Sequence, residues 1–411
     1  MNHNLTFLAF LAVILLSGCS SNEIVKESVD NNSITFSVTA NKNSRSSEFY
    51  CNNNKPAEFY ASAFVENTNG SLSSYMSQEH FKRNGDIWSI VGDQRYWPGD
   101  GKKLKIYATN YIIDYVGDGM VYSDLDNINS ENYSGNRYIH YAPPTSAADQ
   151  LDLLYAYTEQ GKPDFGKTAS INFRHAMSMV VFKVANNLGH AQVKVDAIRL
   201  YNLAYSGNML FPEKPTDVNV EDHTANGAYP ETETVCKWTD IIHGTDKHDD
   251  GATRIFRYNL QNTVVLNDGE LKNLTDVDLR DNKETNYNGV FLLIPETYPA
   301  WDPTKAEFPR GQKDGAFMLL KCSIQNIADK NSATPSEEDV FIWSDNGKTK
   351  ELAIPLPVDW KPGKKYIYTI KFNGKGNGGY DPETGDKVLV PIEFTVTVDD
   401  FAESTDEIVN L

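Results

Sequence analysis

The chain has 411 residues, which at about 150 residues per domain corresponds to two domains or slightly more. Its 38 Lys and Arg residues against 56 Asp and Glu residues give a net charge of −18, which repels phosphate backbones and anionic lipid headgroups. Hydrophobic residues make up 40% of the chain, too much for a disordered protein and too little for a multi-span membrane protein. The composition therefore excludes nucleic acid as a partner and predicts a globular body, free or tethered.

The first 18 residues are interpreted as a secretory signal peptide. Leu5 to Leu16 form an apolar run that is too short for the ~20 residues that span a bilayer, although Met1 to Asn4 lack the usual Lys or Arg. Leu16-Ser17-Gly18-Cys19 then resembles a bacterial lipobox, in which the cysteine thiol takes a diacylglycerol. We expect lipidation of Cys19 and a polar spacer over residues 19–33. The alternative is an unmodified Cys19 after an ordinary signal peptide.

Short runs of alternating apolar and polar residues predict β-strands along the whole chain. The first run, Ile34 to Ala40, puts Ile34, Phe36 and Val38 on one face. Similar runs are Leu104 to Ala108, Val180 to Val184, Val193 to Ala197, Val290 to Ile294, Phe317 to Leu320, Tyr366 to Phe372 and Ile392 to Val398. A short helix is expected only within residues 147–157. The pattern predicts an all-β chain in which each domain consists of two packed sheets.

A stretch with Gly and Pro, Gly161 to Lys167, is the predicted boundary between the two domains. The domains are expected over residues 34–167 and 168–411. A repeated pattern supports two similar units, because Trp97-Pro98-Gly99 and Trp360-Lys361-Pro362-Gly363 each lead through a turn and two lysines into a strand.

The cysteines do not resemble a disulfide framework. If Cys19 is lipidated, Cys51, Cys236 and Cys322 are left, an odd number at wide spacing. One disulfide within this set, with one thiol left over, is an open alternative to three buried thiols.

The chain carries no signature of a metal site, a cofactor or catalysis. Gly374 to Gly379 satisfies G-x-G-x-x-G but runs into a turn, so a flexible hairpin is expected there. The acidic stretches Asp381 to Asp386 and His243 to Asp250 lack the spacing of calcium or zinc sites. His175, inside an apolar run, is expected to be a hydrogen-bonded structural residue. We assign no metal and no cofactor, and predict that the protein is not an enzyme.

Four features together resemble the fimbrillin family, the lipoproteins of Bacteroidales that form major and accessory subunits of cell-surface fimbriae. Ile171 to Lys183 is similar to the motif F-x-H-A-(L/M)-S-x-(V/L)-x-F of that family. The other three features are Asp152 to Ala156, Trp360 to Tyr368 and Phe394 to Phe401. The resemblance implies two tandem β-sandwich domains of transthyretin-like type in a surface-exposed lipoprotein of the outer membrane.

The resemblance also implies assembly by strand exchange after proteolysis. In relatives, an arginine-specific surface protease cuts in a loop after the first strand, the lipidated strand leaves, and its groove accepts a strand from the next subunit. The candidate bond here is Arg45–Ser46, in a polar stretch typical of a cleavable loop; the alternative is an ordinary surface arginine.

The residue pattern supports such an exchange, because loss of the first strand would expose backbone groups and apolar pockets that another strand can fill. The displaced residues would be Ile34, Phe36 and Val38. The donor candidates are the apolar residues of the last long strand, namely Ile392, Phe394, Val396 and Val398. In the isolated precursor, that last strand is expected to reside in the sheet of its own domain.

Three hypotheses on function follow. The first is a structural or adhesive fimbrial subunit, whose partners are other fimbrial subunits, the protease, the outer membrane through its lipid anchor, and a host or bacterial surface ligand. The second is a monomeric surface lipoprotein that binds glycan through exposed aromatic residues, with the candidates Trp88, Trp97, Trp238 and Trp301. The third and least favoured is a hydrolase on a β-sandwich. The sequence does not distinguish a stalk, tip or anchor subunit.

Overall fold

A computed structural model describes residues 33–40, 55–99, 101–110, 115–116, 119–120, 122–123, 137–164, 168–216, 234–244, 254–275, 290–304, 315–329, 331–375, 378–400 and 408–409. Cys19, Arg45, Ser46 and Cys51, together with residues 245–250, lie outside the described residues. Among the described residues, no helix has the length and apolar character needed to cross a membrane.

The described secondary structure is almost entirely β-strand, which confirms the predicted all-β fold. In chain order the strands are β1 (Thr35–Ala40), β2 (Glu58–Glu66), β3 (Leu72–Asn84), β4 (Ile87–Ile90), β5 (Leu104–Thr109), β6 (Tyr115–Val116), β7 (Gly119–Met120), β8 (Tyr122–Ser123), β9 (Tyr138–Tyr141), β10 (Leu154–Gln160), β11 (Ala169–His175), β12 (Ser178–Asn186), β13 (Ala191–Tyr201), β14 (Ala204–Leu210), β15 (Lys237–His243), β16 (Phe256–Leu266), β17 (Leu271–Asn273), β18 (Phe291–Leu293), β19 (Thr297–Tyr298), β20 (Phe317–Asn326), β21 (Phe341–Trp343), β22 (Lys350–Pro355), β23 (Val358–Asp359), β24 (Lys364–Phe372), β25 (Gly378–Tyr380), β26 (Lys387–Asp400) and β27 (Ile408–Val409).

The helix expected within residues 147–157 is reduced to a single 3-10 turn, Ala147–Asp149. The rest of that stretch leads into β10, which starts at Leu154. Tertiary pairing explains the difference, because β10 forms an antiparallel pair with β5 from Tyr155 to Gln160. A strand that finds such a partner overrides a weak local preference for helix.

Seven strands of the amino-terminal part form a closed barrel. Their order around the barrel is β1-β11-β10-β5-β2-β3-β4, and β4 pairs with β1 to close it. The alternating residues that face inward form the barrel core, which includes Phe59, Phe81, Trp88, Ile106 and Phe173. The predicted inward face of the first run is part of this core, since Ile34, Phe36 and Val38 all lie in it.

The predicted boundary after residue 167 divides the barrel incorrectly. Strand β11 follows that boundary, yet it pairs with β1 and β10 and is a full member of the barrel. Only Ala176 and Met177 separate β11 from β12, the first strand of the large sheet. The Gly/Pro stretch is therefore a connection between two barrel strands, because turn residues mark any loop and not only a domain boundary.

The carboxy-terminal part is a twelve-stranded sheet with the main order β16-β13-β20-β22-β25-β26-β24-β12-β17. Buried residues from opposite parts of this order, such as Val195 and Leu320 on one side and Phe182 and Tyr368 on the other, belong to one hydrophobic cluster, the sheet core. The sheet therefore folds over on itself and packs as two layers, as predicted for a β-sandwich.

A third cluster, the junction core, joins the barrel to the large sheet. The outer face of the barrel contributes Tyr107, Tyr155 and Tyr157, and the outer face of the large sheet contributes Met179 and Val181. A small sheet of order β15-β14-β9-β8 also contains strands from both sides of the predicted boundary. The two units are thus packed through a buried apolar interface.

Two cysteines can be assigned as free thiols. Cys236 lies in the junction core and Cys322 in the sheet core, and both are buried. Burial raises the pKa of the Cys236 thiol to about 12, and it also raises the pKa of Cys322. Of the pairs left open by the sequence, a Cys236–Cys322 disulfide is therefore excluded.

These thiols are expected to be unreactive in the folded protein at pH 8. A thiol whose pKa lies far above the pH is almost entirely protonated, and the thiolate is the reactive form. Titration with a thiol reagent should detect Cys236 and Cys322 only after unfolding in denaturant. Labelling of either residue under native conditions, located by peptide mass mapping, contradicts the assignment.

Candidate site of strand exchange

The first strand closes the barrel between two neighbours of opposite direction. β1 runs parallel to β11, with Phe36 opposite Ala169 and Ala40 opposite Phe173. It runs antiparallel to β4, where Phe36 lies opposite Trp88. The backbone N–H of Ile34 also donates to the carbonyl oxygen of Arg95 at 2.8 Å. Removal of β1 would leave β4 and β11 as two facing edges.

The side chains of β1 and of Ile34, the residue that precedes it, fill the barrel core. Ile34, Phe36 and Val38 each have 0% of their surface exposed. The Phe36 ring contacts three other aromatic rings edge-on, with centroid distances of 5.2 Å to Phe81, 6.0 Å to Phe59 and 6.5 Å to Trp97. The groove that holds β1 therefore has a central aromatic pocket flanked by two aliphatic ones.

The β4 wall of this groove is attached to the chain that follows the predicted cleavage loop. The indole Nε1 of Trp88 donates to the carbonyl oxygen of Pro56 at 2.9 Å. The backbone N–H of Arg83 donates to the carbonyl oxygen of Ala57 at 2.9 Å. The Arg83 guanidinium lies 5.1 Å from the centroid of the Trp88 ring. These contacts hold residues 56–57 on β3 and β4.

The β11 wall is held by a buried polar network from the carboxy-terminal part. The side-chain amide of Asn172 donates to the carbonyl oxygen of Thr216 at 2.6 Å. The Arg174 guanidinium donates to the carbonyl oxygens of Thr216 and Thr234, both at 3.1 Å. The N–H of Thr216 donates in turn to Tyr157 of the neighbouring barrel strand at 2.7 Å. Buried hydrogen bonds of this kind, two of them from the charged Arg174 guanidinium, give the β11 wall a fixed position.

The residues of the fimbrillin-like motif meet at the junction of the barrel and the large sheet. Nδ1 of His175 and a carboxylate oxygen of Asp152 are 2.7 Å apart, as expected of a structural histidine. The hydroxyl of Ser178 donates to the carbonyl oxygen of Lys361 at 2.8 Å. The N–H of Gly363 donates to the carbonyl oxygen of Met177 at 2.9 Å. Three stretches that are separate in sequence thus form one structural joint, and the motif serves the packing of the two units.

The candidate donor strand resides in the large sheet of its own chain. β26 pairs with β24 at nine consecutive positions, from Lys364 opposite Asp400 to Phe372 opposite Ile392. Ile392 and Val396 are buried in the sheet core, whereas Val398 is 36% exposed. The side chain of Phe394 lies outside the described residues. Residence in its own sheet is the arrangement expected for the isolated precursor.

The tryptophans proposed as an exposed glycan platform are not exposed. Trp88, Trp97 and Trp301 are buried with 0%, 7% and 3% of their surface accessible. Trp238 is half-buried in the junction core, where its Nε1 donates to the carbonyl oxygen of Ala176 at 2.9 Å. That part of the glycan hypothesis is wrong, because the alternation that places an aromatic on a strand does not say which face is covered.

The described residues of the two acidic stretches are engaged in ion pairs and hydrogen bonds within the protein. A carboxylate oxygen of Asp381 and the Lys350 ammonium lie 2.5 Å apart, and the N–H of Glu383 donates to Asp381 at 2.9 Å. His243 pairs with Glu296 at 2.8 Å. Within the described ranges, no group of three or more His, Cys, Asp or Glu residues is placed to hold a metal ion. The described part of Gly374 to Gly379 connects β24 to β25.

Sequence reasoning did not find the walls of the groove. The Ser37 hydroxyl of β1 donates to the carbonyl oxygen of Ala169 in β11 at 3.3 Å, although the two residues are 132 positions apart in the sequence. No local pattern therefore indicates that these two strands are neighbours. The polar positions Asn172 and Arg174 within an apolar strand were a signal that its outer face is covered by polar partners.

The fold defines an all-β protein in which a seven-stranded barrel, closed by its own first strand, is packed on a two-layered sheet. A sequence profile of the family described as fimbrillin-like matches residues 52–399, and the chain belongs to that family. Membership supports a role as a structural subunit of a cell-surface fimbria. A search among curated proteins finds no match.

Several solved structures are similar to this chain over most of its length. One, a candidate cell adhesion protein from Bacteroides ovatus, is 12% identical with a TM-score of 0.41, and the similarity covers 91% of this chain and 99% of that chain. A candidate cell adhesion protein from Parabacteroides distasonis is 9% identical with a TM-score of 0.43, covering 90% and 98%. A fimbrial assembly protein from the same species is 10% identical with a TM-score of 0.32, covering 89% and 95%.

Proposed function

We propose that the protein is a non-enzymatic fimbrial subunit that is exported as an outer-membrane lipoprotein and polymerises by strand exchange. Cleavage of the Arg45–Ser46 bond by an arginine-specific surface protease frees β1, which carries the lipid on Cys19, and another fimbrial subunit supplies the replacement strand. The observation that carries this proposal is that β1 closes the barrel between β4 and β11. A strand in that position is the one whose loss leaves a groove instead of a shortened sheet.

The connection between β1 and β2 supports cleavage as the trigger. It contains Arg45 and spans residues 41–57, and β2 is not a neighbour of β1 in the barrel. A cut there leaves the first strand attached to the rest of the protein by noncovalent contacts, which are the pairing of β1 with β4 and β11, the hydrogen bond from Ile34 to Arg95 and the buried side chains.

The free energy of burying side chains in the groove supports a stable contact between subunits. Burial of an aliphatic or aromatic side chain is worth about 1.5–3 kcal/mol, so Ile34, Phe36 and Val38 together contribute roughly 5–9 kcal/mol. This is comparable to the entire stability of a typical domain, which is about 5–15 kcal/mol. An empty groove is therefore costly, and a strand of matching pattern that fills it is held tightly. The candidate donor in this chain is the apolar side of Ile392–Val398.

Digestion with an arginine-specific protease tests the proposal. Soluble protein lacking residues 1–19 is expected to lose its residues up to Arg45 and then to form an SDS-resistant ladder on gels. Arg45→Lys keeps the positive charge but resists this protease, so it should stay monomeric, whereas Lys42→Ala in the same loop should behave like the wild type. Cleaved protein that remains monomeric, or a ladder from Arg45→Lys, contradicts the mechanism.

Mass spectrometry of protein extracted from the cell surface provides the matching test in cells. Assembled subunits are expected to begin at Ser46, and the uncleaved precursor at an acylated Cys19. Assembled fimbriae whose subunits all begin at Cys19 would rule out cleavage as the trigger.

A further inference from the structure

A segment outside the barrel strands also holds the start of the first strand. Residues 91–97, which we call the strap, follow β4 directly in the chain. The backbone N–H of Ile34 donates to the carbonyl oxygen of Arg95 at 2.8 Å, and Ser33 forms an antiparallel bridge with Tyr96. The strap therefore extends the β4 side of the groove to the two residues that precede β1.

The two ends of the first strand are held on different sides. On the β11 side, the pairing runs from Phe36 to Ala40. On the opposite side, the described pairs join Thr35 and Phe36 to β4, and the strap then binds residues 33–34. Within the described pairs, residues 37–40 thus have β11 as their one strand partner, whereas the amino-terminal end is bound by β4 and the strap.

The strap also carries a residue of the barrel core. Trp97 is 7% exposed, and its ring centroid lies 6.5 Å from that of Phe36. Ile34, whose N–H is bonded to the strap, is fully buried in the same core. The strap therefore contacts the first strand through the backbone at its start and through the Trp97 ring at its central side chain.

Two exposed polar contacts attach the far end of the strap to β3. Nε of Arg95 donates to a carboxylate oxygen of Glu79 at 2.7 Å, and 49% and 18% of these two side chains are exposed. The hydroxyl of Tyr75 donates to the carbonyl oxygen of Tyr96 at 2.5 Å, and Tyr96 is 50% exposed. Because exposed contacts of this kind are weak, the strap can open locally while the barrel strands stay paired.

The proposed cut after Arg45 frees the end of the first strand that the strap does not hold. The cut lies beyond Ala40, on the carboxy-terminal side of β1. Residues 37–40 are expected to separate first, because a free end with a single strand partner frays most easily. The amino-terminal end can leave the barrel only when the strap gives up Ser33 and Ile34.

We infer that the strap is a latch that keeps the cut β1 in its groove, and that the attachment of Arg95 and Tyr96 to β3 sets the rate at which β1 leaves. This inference rests on the proposed strand exchange and adds the step that controls its rate. Glu79 and Tyr75 are positioning residues, since they act on β1 through the strap.

The rate at which the cut strand leaves measures the latch. In the chain lacking residues 1–19, the loop around Arg45 is given the recognition sequence of a protease that does not cut after arginine, so that the exposed Arg95 stays intact. The double variant Tyr75→Phe, Glu79→Gln removes one hydroxyl and one charge from the attachment of the strap. After complete cleavage, its amino-terminal fragment is expected to dissociate about tenfold faster than that of the wild type, as followed by native mass spectrometry.

Glu66→Gln is the matched control for this measurement. It removes one carboxylate charge from a different exposed ion pair of the barrel, in which Glu66 lies 3.2 Å from the Lys105 ammonium. Its fragment should leave at the wild-type rate. Equal release rates in the double variant and the wild type, or an equal acceleration by Glu66→Gln, overturn the inference. A wild-type fragment that stays bound and gives no SDS-resistant ladder would instead show failure of the proposed function itself.

A disulfide between the strap and the first strand tests the opposite change. Ser33 and Tyr96 form an antiparallel pair of the non-hydrogen-bonded kind, because the bond from Ile34 to Arg95 flanks them, and such pairs have the Cα spacing that a disulfide needs. The variant Ser33→Cys, Tyr96→Cys also carries Cys51→Ser, which removes a competing thiol. Once oxidised and cleaved in the same loop, it is expected to give no ladder, and reductant should restore the ladder. A ladder of wild-type length from the oxidised form overturns the inference.

Discussion

Replacement of Phe36 by alanine is expected to lower the free energy of unfolding of the uncleaved protein by about 3–5 kcal/mol. The ring is fully buried and contacts Phe59, Phe81 and Trp97, so its deletion removes both the burial of the ring and its edge-on aromatic contacts. Urea denaturation of the chain lacking residues 1–19 measures this change.

Ser37→Ala is the matched control on the same strand. The Ser37 hydroxyl makes a hydrogen bond of 3.3 Å to the carbonyl oxygen of Ala169 and is only partly buried. Its loss should cost about 0.5–1.5 kcal/mol. Equal effects of the two substitutions would mean that the packing of Phe36 does not hold β1 in place.

The same Phe36→Ala substitution is expected to leave the assembled polymer unchanged. If β1 is released after cleavage, residue 36 is no longer part of the subunit, and the heat resistance of the SDS-stable ladder should match that of wild type. The precursor and the polymer therefore respond differently to one substitution. A ladder that melts earlier in the variant would show that β1 remains in its groove within the polymer.

Gly315→Ala is expected to lower the free energy of unfolding by at least about 3 kcal/mol. The backbone φ of Gly315 is +95°, and a Cβ atom there would lie 2.6 Å from both the N and Cα atoms of Trp301 and 2.8 Å from the carbonyl carbon of Ala300. Because these are backbone atoms, the chain that carries Trp301 must move. Trp301 packs on Phe317 and Tyr380, so this movement disturbs the outer face of the large sheet.

Gly92→Ala separates crowding from backbone strain. Gly92 has a φ of +108°, similar to that of Gly315, but a Cβ added there meets no described atom within 4 Å. Only the conformational cost of about 1–3 kcal/mol should remain. Thermal unfolding compares the stabilities, and near-ultraviolet circular dichroism reports the environment of Trp301. Similar losses in both variants would mean that the approach of Gly315 to Trp301 contributes nothing.

Several properties of the protein follow from short-range sequence alone. Alternation in Ile34 to Ala40 identifies both the first strand and the face that is buried, because the two-residue period of a strand is a local property. The same reasoning locates β5, β12, β13, β20, β24 and β26. The motif around His175 indicates the family, and its structural role as a hydrogen-bonded residue follows from its apolar surroundings.

Other properties depend on contacts between distant parts of the chain. The closure of the barrel requires β1 to lie beside β11, and nothing near either strand specifies that partner, because sheet neighbours are chosen by the packing of the whole domain. For the same reason the Gly/Pro stretch before β11 was mistaken for a domain boundary, and buried Trp88, Trp97 and Trp301 were taken to be exposed. Alternation shows which side chains share a face, but whether that face meets solvent, a core or a second unit depends on the three-dimensional arrangement of the sheets.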